Sequence, residues 1–235
     1  MSNEKRNQQI LETELKRTAT DLIARIDKDD VNQILVVGCI EQDISLLKAR
    51  WKKATVIVVE TAKISGDISS LGQFDLVFSN ASIQYLPYHE RIITKLFQLL
   101  KGKGVLAIHV PNAANMPINL MMESISRDKK WQEYLKDVIG YYFAPSYYYE
   151  ILSKLSTDIQ LWEINYSHIL NHYQELIDLY AVTEMKIYLD KLPDEKMQEA
   201  FSNELLQLLP AEYKRQTNQT ILFPFKRTFF IAQHN

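Results

Sequence analysis

Four short runs of apolar, mostly β-branched residues constrain this chain more than any other feature: Gln33–Val37, Thr55–Val59, Phe74–Ser79 and Val105–Val110. They show no helical period and are too continuously apolar to alternate, so they read as strands buried on both faces. Helical spacing fills most of the gaps. Leu11, Leu15, Thr18, Leu22 and Ile26 recur at three- and four-residue steps and predict an N-terminal helix over about 4–26. Ile44, Leu47 and Trp51 mark a second helix, and Ile92, Ile93, Leu96, Phe97 and Leu100 a third from about Tyr88 to Leu100. Gly102 and Gly104 are expected to close that third helix, because glycine takes left-handed backbone angles at low cost. Strands alternating with helices predict an α/β fold, a mostly parallel sheet with helices on both faces.

The connection after the second run breaks this rhythm. Only Thr61–Gly66 separate Glu60 from Asp67, too few residues for a crossover helix. Beyond Pro111, segments 115–136, 145–155 and 171–210 read as helical, the last interrupted at Pro193. Ile159–Tyr166 and Thr220–Ala232 read as strands. With 235 residues and no linker rich in Gly, Ser or Pro, one domain is expected. A net charge of −2 gives no basic footprint, which argues against a nucleic-acid partner. The polar first 17 residues and the short apolar runs predict a cytoplasmic protein without a signal peptide or membrane span. Cys39 is the single cysteine, which excludes an intrachain disulfide and suits a reducing compartment.

In an open parallel sheet, ligands bind beyond the carboxyl ends of the strands. That rule selects the turn Gly38–Asp43, Glu60, Asp67 and the segment Ser79–Gln84. A turn leading into a helix suits a carboxylate, and an acid ending the next strand can accept both hydroxyls of a ribose.

Phe74-Asp-Leu-Val-Phe-Ser-Asn-Ala-Ser-Ile-Gln-Tyr-Leu-Pro87 resembles the fourth-strand motif of trans-aconitate 2-methyltransferases. Lys103–Pro111, Tyr147–Ser153, Ile159–His168 and Ile221–Ala232 are similar, in order, to that family's later strands and helices. The resemblance implies a seven-stranded Rossmann-like sheet with an added helical lid, formed by segments 115–156 and 171–210. It implies S-adenosylmethionine as cofactor, no metal, and a small carboxylate-bearing molecule as methyl acceptor. Carried over residue by residue, it places Gly38, Glu60, Asp67, Asn80 and Ala81 on the cofactor. It places Gln84, Tyr147, Tyr166, His168 and Arg227 on the acceptor, with Gln84 and Tyr85 near the transfer centre.

Two departures accompany the match. The family's first turn has the pattern acid-x-Gly-x-Gly-x-Gly, whereas this chain has Val36-Val-Gly-Cys-Ile-Glu-Gln42, with Val36, Ile40 and Gln42 replacing the acid and two glycines. The helix that the family carries between its second and third strands is missing. Two readings follow: a methyltransferase acting on a small carboxylate, or a protein that keeps the fold for binding or assembly, its pocket filled by side chains such as Ile40 and Gln42.

Other constellations carry blander readings. Tyr141, Tyr142 and Tyr147–Tyr149 form an aromatic cluster more typical of packing than of a substrate cage. His168 and His172 stand four residues apart without a third zinc ligand nearby. Cys39, just after a buried strand, reads as a small core residue.

Overall fold

A computed structural model of the protein describes residues 3–38 and 41–235, with side chains from residue 12 onward. Cys39 and Ile40, and with them the readings placed on those two residues, lie outside the described residues. In chain order the elements are α1 (Asn3–Ala24), β1 (Gln33–Val37), α2 (Glu41–Arg50), β2 (Thr55–Val59) and β3 (Phe74–Asn80). Next come α3 (His89–Gln98), β4 (Leu100–Pro111), α4 (Pro117–Ser126), α5 (Gln132–Leu135) and α6 (Pro145–Leu152). Then follow β5 (Asp158–Leu170), α7 (Tyr173–Ala181), α8 (Lys186–Leu189), α9 (Glu195–Glu212) and β6 (Ile221–Gln233).

The strands form one sheet in the order β2-β1-β3-β4-β6-β5. Pairings β1–β2, β1–β3 and β3–β4 are parallel, and β6 runs antiparallel to β4. The expected seventh strand is not among the described elements. Residues 61–73, where it would stand, hold only two short 3-10 turns, Thr61–Ser65 and Ser69–Leu71. Thirteen residues cannot supply both a crossover helix and a strand, so the sheet has six.

The glycines expected to cap α3 do something else. The helix ends at Leu99 in the ordinary right-handed conformation, and β4 starts at Leu100. Gly102 and Gly104 lie in an irregular stretch of that strand, where the register on β3 jumps from Phe74↔Leu100 to Leu76↔Val105. An added Cβ on Gly104 would meet Lys101 O at 2.8 Å and Phe74 O at 3.0 Å, so close backbone approach selects glycine there.

Backbone contacts divide the chain into two compact units. The first comprises Glu12–Asn112, Tyr141–Ile164 and Arg227–Asn235. Its core packs Leu35, Val37, Val77, Leu106 and Ile108 of the strands against Ile92, Ile93 and Leu96 of α3. Tyr148, Ile151 and Leu152 of α6 join that core, so α6 is part of this unit. The second unit gathers Ala113–Gly140 and Asn165–Lys226. Its apolar centre includes Trp131 set edge-on to Phe201 at 5.3 Å, with Tyr188 stacked on the same ring at 5.8 Å. The break expected at Pro193 separates α8 from α9, and Asp194 caps α9 by accepting the Met197 N–H at 2.8 Å. A second break, after Ala181, separates α7 from α8. Each unit is discontinuous in sequence, and β5 and β6 both run from one into the other.

Candidate active site

The carboxyl ends of β1, β2 and β3 meet at Gly38. This residue has φ +53°, and its N–H donates to Val59 O at 2.9 Å, tying the turn to the end of β2. A Cβ there would fall 2.2 Å from Thr61 Oγ1 and 2.6 Å from Ser82 Oγ. Glycine is therefore required twice, by the left-handed backbone and by the side chains that follow β2 and β3. Ser82 Oγ reaches Gly38 O and Asn80 O, each at 3.2 Å.

Glu60 directly follows β2, beside this turn. Its side chain is solvent-exposed and sits 3.2 Å from Lys63 Nζ, an ion pair formed across one 3-10 turn. Exposed pairs of this kind are weak and readily exchanged. An acid at the end of β2, next to a positive-φ glycine at the end of β1, fits the ribose end of a nucleoside cofactor. Asp67 stands elsewhere. Its Oδ1 accepts the Ser69 N–H at 2.9 Å, and that backbone bond, with a further one from the Ser69 side chain, holds its carboxyl below the usual aspartate range. It lines a cavity of about 370 Å³ with Gln73, Lys95 and Gln98, at the amino end of β3 and away from Glu60.

Asn80, the last residue of β3, is buried and its amide is fully used. Nδ2 donates to Leu15 O at 2.9 Å and to Asp43 Oδ1 at 3.1 Å. Oδ1 lies 2.8 Å from Thr18 Oγ1 and 2.9 Å from His109 Nδ1. Because Nδ2 faces two acceptors, the amide orientation is fixed and Oδ1 must accept. His109 consequently carries its proton on Nδ1, leaving Nε2 as a buried acceptor with no partner among the described residues. Burial, and secondarily the Arg227 charge, holds the His109 pKa far below the usual range, so the ring is neutral. Ala81 follows with φ +50° and donates its N–H to His109 O at 3.0 Å.

Glu14 is also buried, and desolvation raises its pKa against the opposing pull of Arg227 and Arg17. Arg227 is 3% exposed, and β6 pairs it with Pro111 at the carboxyl end of β4. Gln84 is buried on the same side; Nε2 donates to Ala81 O at 2.8 Å, while Oε1 has no partner among the described residues. Gly38, Glu60, Asn80, Ala81, Gln84 and Arg227 thus share the carboxyl-end rim of the sheet unit. Tyr147, in the same unit, stacks on Phe143 at 4.1 Å. Tyr166 and His168 belong to the second unit, where His168 lies 6.0 Å from the Phe223 ring.

Gln42 of α2 donates to Glu12 Oε2 at 3.1 Å. Sequence reading missed the buried polar hub of Glu14, Thr18, Asp43 and His109. One signal was available for His109, a lone polar residue within an apolar strand. Thr18 does occupy the buried face of α1 as its spacing predicts, but its hydroxyl is at work there. Among the described residues no cluster of His, Cys, Asp and Glu could hold a metal ion, and no helix is long and apolar enough to cross a membrane.

Comparison with known proteins agrees with this geometry. A family model described as a methyltransferase domain matches residues 20–108. The chain is 29% identical to a trans-aconitate 2-methyltransferase of Enterobacter sp. (strain 638), over 94% of this chain and 93% of that protein. It is 27% identical to the protein of the same name from Escherichia coli O9:H4 (strain HS), with the same coverage. Among solved structures, the YcgJ protein of Bacillus subtilis superimposes with a TM-score of 0.50 at 11% identity, covering 93% of this chain and 98% of that one. A phosphoethanolamine N-methyltransferase of Haemonchus contortus gives a TM-score of 0.51 at 12% identity, covering 93% of this chain and 52% of that one. At such identities the structural likeness speaks for the fold alone. Sheet order gives this chain a Rossmann-like α/β fold, residues 20–108 match a methyltransferase-domain model, and the sequence is similar along nearly its whole length to the trans-aconitate 2-methyltransferases.

Proposed function

We propose that the protein transfers a methyl group from S-adenosylmethionine to a carboxylate oxygen of a small polycarboxylate. The observation that carries this reading is the buried guanidinium of Arg227 on the carboxyl-end rim that also holds Gly38 and Glu60. The cofactor supplies an electrophilic methyl group on a sulfonium. Glu60 exchanges Lys63 for the ribose hydroxyls, and the Gly38 turn lets the backbone approach. Arg227 grips a non-reacting carboxylate of the acceptor with two parallel hydrogen bonds. Neutral His109 beside it adds no competing charge. A carboxylate is already ionised at neutral pH, so the step needs orientation and water exclusion more than a general base. Glu14 and Thr18 of α1 must withdraw from the strand ends for an acceptor to reach Arg227.

The similarity to trans-aconitate 2-methyltransferases supports trans-aconitate as the first acceptor to assay. Incubation with cofactor and a panel of di- and tricarboxylates should yield a monomethyl ester detectable by mass. S-adenosylhomocysteine at millimolar concentration should raise the melting temperature of the wild-type protein and not of Glu60→Ala. No shift for either would overturn the cofactor assignment.

A second reading, a methyltransferase fold kept for binding alone, is favoured by the saturated Asn80 amide and by Thr61 and Ser82 crowding Gly38. It expects neither ester nor thermal shift.

A further inference from the structure

The shortened connection after β2 leaves an edge strand with unusual properties. Strand β2 reads Thr-Val-Ile-Val-Val, with no charge, proline or bulge, and pairs with β1 in unbroken register from Gln33↔Thr55 to Val37↔Val59. Among the described residues no strand flanks its other side. Ile57 is 36% and Val58 47% exposed, and neighbours in a strand point to opposite faces, so β2 is open on both faces as well as along its edge. Natural proteins usually blunt such an edge with lysine, proline or a bulge inside the strand. Here the charges sit only at its ends, exposed Lys52 and Lys53 before it and exposed Glu60 after it.

The hydrogen-bond phase of β2 is self-complementary. Thr55 N–H donates to Asn32 O at 2.8 Å and Val59 O accepts from Gly38 N at 2.9 Å, so the odd-numbered residues bond inward to β1. Val56 and Val58 therefore aim their N–H and C=O groups outward. We infer that this edge pairs with the β2 edge of a second copy of the chain, antiparallel about a two-fold axis at Ile57. In that register Val56 faces Val58 of the second copy, and both outward pairs exchange two hydrogen bonds. Ile57 meets its own equivalent in a non-hydrogen-bonded pair, where side chains approach most closely. The cationic end of each strand lies beside the anionic end of the other, with Lys53 one residue from Glu60 of the second copy. A parallel alignment would bring like charges together and leave the pairing open-ended, whereas the two-fold closes it. The ladder is short, so the dimer is weak and concentration-dependent.

Sedimentation velocity from about 5 to about 500 µM should show a monomer–dimer equilibrium, a range suited to a small interface. Val58→Pro removes an outward N–H and no bond to β1, so it should weaken dimerisation by about tenfold or more with an unchanged circular dichroism spectrum. In a Cys39→Ser background, Ile57→Cys should cross-link on mild oxidation, since the two Cα atoms of such a pair stand within disulfide range. Val58→Cys should cross-link far more slowly, because the register offsets it from its equivalent. If Val58→Pro fails to fold, the cross-linking contrast decides. A monomer throughout the concentration range, or Val58→Cys cross-linking as fast as Ile57→Cys, would overturn the inference.

Discussion

Replacing Gly38 by alanine tests whether the meeting point of three strand ends is as crowded as its geometry requires. Two terms contribute. At φ +53° an L-residue with a Cβ costs about 1–2 kcal/mol relative to glycine. The new methyl would then overlap Thr61 Oγ1 at 2.2 Å and Ser82 Oγ at 2.6 Å, and overpacking of this kind costs about 1–3 kcal/mol. Thr61 Oγ1 is the end of a rotatable side chain, which pulls the second term toward its lower limit, so the expected loss is about 2–4 kcal/mol. Urea denaturation followed by circular dichroism should show it as a midpoint lowered by roughly 1 M or more, given the slopes usual for a chain of this length. Thr61→Ala in the same chain should restore about 1 kcal/mol or more by removing the closest overlap, and should do little in the presence of Gly38. Gly72→Ala supplies the contrast: φ is +96° there, but nothing lies within 4 Å of the added Cβ, so no second substitution should rescue it. A Gly38→Ala protein within about 0.5 kcal/mol of wild type, or no coupling to Thr61, would refute the crowding.

Burial lowers the His89 pKa to about 4, against a smaller upward pull from the Ile83 and Leu86 carbonyls, so the folded protein holds this ring neutral. The unfolded chain binds the proton more readily; stability should therefore fall by about 3 kcal/mol as pH drops from about 6.5 to about 4, and His89→Gln should flatten that slope in denaturation series at several pH values. Asn80→Ala should cost about 3 kcal/mol or more, because it removes at once a buried partner of Leu15 O, the Asp43 carboxylate, the Thr18 hydroxyl and the His109 N–H; a change under about 1 kcal/mol would mean that water replaces the amide. Arg227→Lys should raise KM for a tricarboxylate by about tenfold while leaving S-adenosylhomocysteine affinity unchanged, as expected when a two-pronged grip becomes a point charge.

The sheet was legible because its strands are apolar without interruption and the helices between them keep their period. The length of residues 61–73 revealed the missing crossover helix, but the expectation of seven strands, taken from the resemblance, was one too many. The roles of Gly102 and Gly104 were misplaced because a glycine pair after a helical pattern reads as a cap, whereas the demand for a small residue falls on Gly104 alone and comes from Lys101 O in its own strand and Phe74 O in the next. Gly38 and Glu60 were found from the rule about carboxyl ends, and both stand there. Asp67 was selected by the same rule, yet it lies between the two short turns, at the amino end of β3. The hub at Asn80 could not be read locally, since its partners Thr18, Leu15 and Asp43 are 62, 65 and 37 residues away in sequence. The two units left no single linker to find, because the chain passes between them several times, within α1, β5 and β6 as well as through loops.

The position of β6 also governs how this chain can be made and trimmed. It follows β5 in the chain, yet it sits between β4 and β5, and β5 reaches the sheet only through it. On the ribosome β5 must wait, without its partner strand, until β6 emerges. Losing β6 to a protease or a premature stop codon would cost the sheet two strands for the length of one.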